Sequence, residues 1–434
     1  MLLSYIRVTI QILSPWRVGA PGEDRSRQAT LTDLAGNPVI PASSLAGSFR
    51  SHLGGDAERL MGRTGAEDPE ASSVWFLGTR LTGRGDASPR VETRTGTSIS
   101  RTRKAARLHG SHGIDEVHDT DQVNLYLRCD DNLEEVLDHL AAWRPTIGGG
   151  ITTGLGKAKV SAIRYRTIDT SKPEDIVARA TMGGSGPEGL DRLLTRGKDY
   201  ELRVLDDQIV LSASLDIEDY HLPGREATPE KDPGRLEHRW YQGSRWKGLL
   251  RSRVEYIGRS IGLQVCGADE GAWHGCGCCG VCEVFGSGTT GAGRWVFGIT
   301  RLSDPPPFGG GRTRNAIDRF TGGVLDKRLF YEDTSTTRNA TLVITEREPL
   351  EPHHAWVAKA LLLTLKDLND GYVGIGGRSA TGLGRVHLNE WTLGPSIEGV
   401  LGAAPAKDEP PLITADDVEA ARTAQQEKET AHVG

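Results

Sequence analysis

Alternation opens the chain. Ile6, Val8, Ile10 and Ile12 are interleaved with Arg7, Thr9 and Gln11, a period of two that predicts a strand with one buried face. The period then lengthens, because Leu45, Phe49 and Leu53 recur at helical spacing behind Ser43 and Ser44, either of which can serve as the N-cap. Leu133, Val136, Leu137 and Leu140 predict a second amphipathic helix ending near Pro145, and a strand follows over 158–163. The later half gives the same succession, with a helix over 356–368 and a strand over 386–391. Each half therefore predicts strand, helix, irregular insert, strand, helix, glycine loop, strand. That order suits an α+β fold of two βαββαβ units in tandem, the ferredoxin-like (RRM-like) arrangement.

Four local features support a duplication, each occurring twice in the same order. A small-Ser-x-x-x-Gly-x-x-Arg segment appears at 42–50, containing Ser43, Ser44 and Arg50, and again at 243–251, containing Ser244, Lys247 and Arg251. An aromatic-Gly end closes 74–78 and 284–286. An Arg-Thr segment closing on Ile-x-Arg covers 94–101, with Arg94, Ile99 and Arg101, and 312–319, with Arg314, Ile317 and Arg319. A glycine loop carries Gly149, Gly150, Gly154 and Gly156, and its echo carries Gly376, Gly377, Gly382 and Gly384. The offsets drift slowly, 243 − 42 = 201, 286 − 78 = 208, 317 − 99 = 218 and 382 − 154 = 228. Ordered matches with slow drift indicate duplication followed by insertions.

The chain's 434 residues exceed what one ordinary core organises. The repeat predicts domains at 1–166 and 199–400, and 167–198 is expected to be a linker because its Pro, Gly and charged residues follow no sustained pattern. From 401 to 434 a disordered tail is expected, apart from a short helix that Thr414 could cap.

Charge changes this picture locally. The total is 52 − 58 = −6, which excludes a uniformly basic surface. Yet 90–107 holds six cations against one acid, 235–259 holds seven against two, and the acidic tail from Lys407 masks both in the sum. Phosphate binding needs only local positive potential. A solvated charged face is the competing explanation for either stretch.

The alternating first strand is unlike a signal peptide, and no run of about 18 apolar residues predicts a membrane span. A cytoplasmic protein with reduced cysteines is the expectation. Five of the six cysteines fall within 282 − 266 + 1 = 17 residues. Cys276, Cys279 and Cys282 form two consecutive CxxC steps and Cys266 supplies a fourth thiolate, a set that closes a tetrahedral structural zinc site in an insert of the second domain. Cys278 and His274 are possible substitutes, and solitary Cys129 is expected in the core.

The glycine loops could be plain turns, or could let main-chain N–H groups approach a phosphate without Cβ obstruction. Two nucleotide motifs are excluded. A Walker A loop would need Gly at Ile151 and Ser or Thr at Ala158. A dinucleotide fingerprint would need a helix after the loop, where a strand is predicted.

Taken together, IPASSLAGSFR (40–50), RTGTSISR (94–101), RTRNAIDRFTGG (312–323) and the two glycine loops resemble the RAMP superfamily of CRISPR-associated proteins. Within it the chain is most similar to the repeated backbone subunit of type III effector complexes, here as a tandem fusion. The resemblance implies partners: guide crRNA, complementary target RNA and other effector subunits, with no membrane. It also implies that the glycine loops, with Ser43, Ser44, Arg50, Ser244, Lys247 and Arg251, hold the guide backbone. By the same resemblance 94–107 and 312–319 would be thumb β-hairpins, in which Ile99 or Ile317 displaces a base while Arg94, Arg101, Arg314 and Arg319 hold adjacent phosphates. An exposed charged hairpin without a ligand is the plainer alternative.

Type III backbone subunits commonly cut target RNA with one aspartate and a divalent metal such as Mg, aligning a 2′-hydroxyl for in-line attack. The corresponding positions, counted back from Ala42 and Gly243, fall on Arg27 and Thr228, neither a carboxylate. The nearest candidates are Asp24 in the first half and Glu226, Glu230 and Asp232 in the second. Asp24 and Asp232 are the catalytic expectation, and Asp33 fits a turn. Whether the chain is an endoribonuclease thus stays open against a non-catalytic RNA-binding scaffold. A guide-precursor processing enzyme using His109, His112 or His118 as acid or base, and an unrelated zinc ribbon, are the further alternatives.

Overall fold

A computed structural model describes residues 2–22, 27–63, 69–101, 105–184, 186–206, 208–221, 240–266, 275–289, 291–302, 312–332, 334–402, 405–406 and 409–433. The chain divides into two units. The first comprises Met1–Ser98, Arg107–Ile151 and Leu155–Asp206, and the second comprises Ile99–Ala106, Thr152–Gly154 and Asp207–Gly434.

In the first unit the elements run β1 (Leu2–Ile12), β2 (Arg27–Gln28), α1 (Ala42–Leu53), α2 (Ala57–Met61), β3 (Val74–Gly83), β4 (Arg90–Ile99), β5 (Ala106–His118), β6 (Thr120–Cys129), α3 (Leu133–Ala142), β7 (Ala158–Asp169), α4 (Pro173–Ala180), α5 (Pro187–Leu194) and β8 (Lys198–Tyr200). The main sheet has the order β3-β6-β1-β7-β8, and all its pairings are antiparallel. Helices α1 and α3 cover one face. There Ile6, Val8, Ile10 and Ile12, as the alternation predicts, meet Leu45, Phe49, Leu53, Val136, Leu137 and Leu140. Phe49 sets its ring edge against Trp143 with centroids 5.3 Å apart. Each such buried side chain contributes about 1.5–3 kcal/mol.

The opposite face is covered too, and by the segment expected as a linker. Pro173 and Pro187 start α4 and α5, and Leu190, Leu193 and Leu194 pack on Leu3, Tyr5, Tyr126 and Ile168. Proline suits a first helical position because its missing N–H would have no partner there. Two short helices give too few turns for the sustained periodicity that the sequence reading required.

In the second unit the elements are β9 (Ile209–His221), β10 (Trp240–Tyr241), α6 (Gly243–Ser260), α7 (Gly280–Phe285), β11 (Gly286–Ser287), β12 (Gly291–Ala292), β13 (Trp295–Phe297), β14 (Thr300–Arg301), β15 (Arg312–Ile317), β16 (Val324–Glu332), β17 (Thr334–Glu346), α8 (Ala355–Asn369), β18 (Arg385–Leu393), α9 (Pro395–Leu401) and α10 (Ala415–Val433). Its main sheet, β13-β17-β9-β18, is again antiparallel. With strands counted by their order in the repeat, each sheet places second, third, first and fourth side by side. Helix α8 is buried almost all round, from Trp356 to Leu368, among α6, α7, α9 and β18.

The tail differs from expectation. Residues 415–433 form α10, with Thr414 and Asp417 closing its start: the Asp417 N–H donates to Thr414 Oγ1 at 3.3 Å and the Thr414 N–H to Asp417 Oδ2 at 2.6 Å. Lys359 on α8 donates to Asp417 at 2.7 Å, while Val418 and Ala421 pack on the core. An acidic composition pointed to disorder beyond a short helix, but a cap, ion pairs of Asp417 with Lys359 and of Lys428 with Glu283, and the apolar contacts of Val418 and Ala421 anchor the helix.

Candidate nucleic-acid interface and metal centre

Both hairpins leave the main sheet at the same connection, between the second and third strands of the repeat. The first is β4 with β5, where the Ser100 N–H donates to Ala105 O at 2.8 Å. The second is β15 with β16, whose turn is organised by Asp318: its Oδ1 accepts the Phe320 and Thr321 N–H groups at 2.9 and 2.8 Å. Those bonds hold the Asp318 carboxyl below its ordinary value. Ile99 and Ile317 sit at these tips with 55% and 62% of their surface exposed. An exposed isoleucine is a poor contributor to a core but can contact a nucleobase face.

Arginine placement divides the candidates. Arg94 lies at the base of its hairpin, donating to the buried carboxylate of Glu116 at 2.7 Å. Arg50 is exposed and donates to Gly62 O at 3.2 Å, and Arg319 is exposed. Arg314 is half-buried on β15. Arg101, Lys247 and Arg251 are committed elsewhere. Arg101 pairs with buried Glu255 at 2.8 Å, and Lys247 donates to Thr152 Oγ1 at 2.7 Å. Burial pushes the Lys247 ammonium down to about 8.

The two glycine loops share one construction. Gly156 lies 3.0 Å through its carbonyl from the Ile147 N–H, and Gly384 lies 2.9 Å from the Ile375 N–H. A Cβ at Gly156 would stand 2.1 Å from Ile147 O, and at Gly384 1.9 Å from Ile375 O, with φ of +66° and +71°. Only glycine fits either position. The Gly149 N–H is taken by Arg17 O at 2.9 Å and the Gly382 N–H by Ser379 O at 3.0 Å. The main-chain amides of Gly154, Gly376 and Gly377 have no main-chain partner among the described residues. Gly150 has φ +81° and stands against Leu155.

Helix α1 begins at Ala42 behind Pro41, with no side-chain cap. Ser43 and Ser44 therefore occupy its first turn instead of the N-cap, Ser43 exposed and Ser44 half-buried, because Pro41 already supplies the extended entry. Ser244 has the equivalent place on α6 behind Gln242.

The four expected cysteines converge. The sulfurs of Cys266, Cys276, Cys279 and Cys282 all lie within 4.8 Å of one another. Cys266 to Cys282 is 3.4 Å, Cys279 to Cys266 3.9 Å, and Cys276 to Cys282 4.0 Å. Tetrahedral bonds of 2.3 Å to zinc would separate sulfurs by about 3.8 Å. The Cys276 N–H donates to Cys266 Sγ at 2.9 Å and the Cys279 N–H to Cys276 Sγ at 3.3 Å, bonds that favour thiolate. Within the cluster, hydrogen bonding with Cys266 lowers Cys276 and Cys282, the latter to about 6, while hydrogen bonds from the neighbouring sulfurs raise Cys266 and Cys279. Cys278 stays outside the cluster, 3.8 Å from Glu429, and burial raises its thiol to about 12. His274 falls outside the described residues. Cys129 is buried in the first core.

Charge supports a divalent ion. Arg251 Nε donates to Glu255 Oε1 at 2.8 Å, its Nη1 to Gly286 O, and its Nη2 reaches Cys282 Sγ at 3.3 Å. Arg259 donates to Cys266 O at 2.7 Å. Arg101, Arg251, Arg259 and Glu255 sum to +3 − 1 = +2, which balances four thiolates around a divalent cation, +2 − 4 = −2. Buried charge is stable only when paired, so the residues fit such an ion.

The RAMP superfamily model matches residues 9–159 and 240–387, more than half of the chain, once in each half. The chain belongs to the RAMP superfamily. Membership implies a CRISPR-associated, RNA-binding protein. No curated protein matches the chain. Among the described residues no helix of this RAMP protein is long and apolar enough to cross a membrane. Of the catalytic candidates, Asp24, Glu226, Glu230 and Asp232 lie outside the described residues. Asp33 is described, and its Oδ1 accepts the Ala35 and Asn37 N–H groups at 2.9 and 2.8 Å, the turn that its setting predicts. Arg27, at the counted position, forms a two-bond pair with Asp115, each bond 3.0 Å. His109, His112 and His118 are spread along β5, with His118 beside Glu92 and Glu116.

The sequence reading missed the Arg251–Glu255 pair. The i, i+4 spacing on a helix was its only advance signal.

Proposed function

We propose that this RAMP protein is a guide-binding backbone subunit of a type III CRISPR effector, with two ferredoxin-like units that each hold a stretch of guide RNA. The carrying observation is the coincidence, in both units, of a constrained glycine loop ahead of the last strand and a hairpin bearing an exposed isoleucine. The amides of Gly154, Gly376 and Gly377, the first-turn serines 43, 44 and 244, and Arg50, Arg314 and Arg319 would hold phosphates, while Arg94 stays with Glu116 at the base of its hairpin. Ile99 and Ile317 would interrupt pairing between guide and target. Arg101, Lys247 and Arg251 are left out of this grip because their charged ends are already engaged. Zinc is the metal proposed for the four cysteines, as a structural ion with no open position for water. Asp24 and Asp232, each with a bound divalent ion such as Mg, are proposed to cleave target RNA.

The deciding experiment is to sequence RNA that co-purifies with the chain. A shared repeat-derived end supports the reading. RNA of random ends, or none, with added repeat-derived guide unbound at low salt, refutes it. Site-specific cutting of repeat RNA by the isolated chain would instead favour guide processing.

A further inference from the structure

The metal centre is joined by a continuous line of side chains to Arg101, two residues beyond Ile99 at the end of the first hairpin. Cys282 Sγ meets Arg251 Nη2 at 3.3 Å, Arg251 Nε meets Glu255 Oε1 at 2.8 Å, and Arg101 Nη1 meets the same oxygen at 2.8 Å. All four residues belong to the second unit. Glu255 has no exposed surface and Arg251 is 8% exposed, so both charges depend on one another and on the thiolates. Glu255 Oε2 is buried without a hydrogen-bond partner among the described residues, so Oε1 alone anchors both guanidiniums.

Such a buried line is rigid while its charges balance and loses its reason to hold when one is removed. We propose that Arg251 and Glu255 are positioning residues through which metal bound by the four cysteines fixes the turn carrying Ile99 and Arg101. The centre thus sets the place of a hairpin tip as well as stapling its own loop. This inference rests on the metal reading of the cysteines but not on RNA binding.

Coupling between two sites is reciprocal, which gives two independent readouts in the full chain loaded with Zn²⁺. Arg101→Ala touches no cysteine, yet its affinity for Zn²⁺, measured by competition with a chromogenic chelator, should fall about tenfold, as when one charge-assisted hydrogen bond is lost. Glu255→Gln, with zinc content verified by mass spectrometry, should speed amide exchange in peptides covering 96–108 by about tenfold. If Glu255→Gln does not fold, Arg101→Ala decides alone. Unchanged Zn²⁺ affinity in Arg101→Ala, or unchanged exchange at 96–108 in folded, zinc-loaded Glu255→Gln, overturns the proposal. A chain that never takes up Zn²⁺ overturns the metal reading itself, and neither outcome bears on whether guide RNA binds.

Discussion

Substituting Gly384 by alanine tests the strictest constraint in the second unit. The new Cβ would stand 1.9 Å from Ile375 O, whereas real contacts almost never fall below 3.0 Å, so the two segments must part by more than 1 Å. That movement breaks the 2.9 Å bond from the Ile375 N–H to Gly384 O, a loss of about 1 kcal/mol. Holding alanine at φ +71° costs about 1–2 kcal/mol more. With residual strain the total is about 2–4 kcal/mol, and a urea slope near 2 kcal/mol per molar converts it into a midpoint lowered by about 1–2 M. Two controls bracket the estimate. Gly382→Ala meets nothing within 4 Å at φ +85°, so only the conformational cost of about 1 kcal/mol applies. Gly248→Ala lies in open space on α6 and should stabilise by about 0.5–1 kcal/mol. Tryptophan fluorescence reports the transition, since Trp246, Trp295 and Trp356 are all buried in this unit. If Gly384→Ala costs no more than Gly382→Ala, the close approach does not constrain the loop.

Three further outcomes are expected. Cys279→Ser should lose its metal equivalent and Cys278→Ser should keep it, as elemental analysis of the purified chain would show, because only the first lies in the cluster. Burial keeps His354 below the ordinary histidine value, and hydrogen bonds from His353, His354 and Lys428 overcome burial to hold Glu283 well below the carboxylate range. Both depressions give stability that is complete above the unfolded values and is lost on acidification, first below about 6.5 for histidine and then below about 4.3 for glutamate. Thermal melts from pH 7.5 to 5.5 should therefore fall, and His354→Gln should flatten that first part; an unaltered slope refutes it. With guide and matched target RNA, Asp24→Ala and Asp232→Ala should each remove one set of cleavage bands, and an unchanged ladder removes both from the catalytic role.

The duplication was legible because it rests on short-range signals. The loop offset of 228 recurs between Gly156 and Gly384 and again between their partners Ile147 and Ile375, 384 − 156 = 375 − 147 = 228. The convergence of Cys266, Cys276, Cys279 and Cys282 was legible from spacing alone. Long-range pairing was not: phosphate roles for Arg101, Lys247 and Arg251 were implied by the family resemblance, while the fold turns those side chains toward Glu255 and Thr152. Helices α4 and α5 were missed because each runs only eight residues, just over two turns, among prolines and glycines, although Leu190, Leu193 and Leu194 carry the helical spacing. Helix α10 was expected only as a short helix capped by Thr414, because acidic composition pointed to disorder beyond it; the helix runs over Ala415–Val433.

The packing of α5 on the first sheet bears on how nucleic acid can be recognised. Many RNA-binding sheets of similar strand order stack bases on aromatic rings across an open face. In the first unit that surface is shut: Tyr5 and Tyr126 lie beneath Leu190, Leu193 and Leu194, and Arg7 is tied to Asp191. Stacking on this face is thereby foreclosed, and under the proposed function contact would fall to loop amides and hairpin tips. Such groups would address sugars, phosphates and the generic flat surface of a base, as the proposed guide holder, which must accept any spacer, would require.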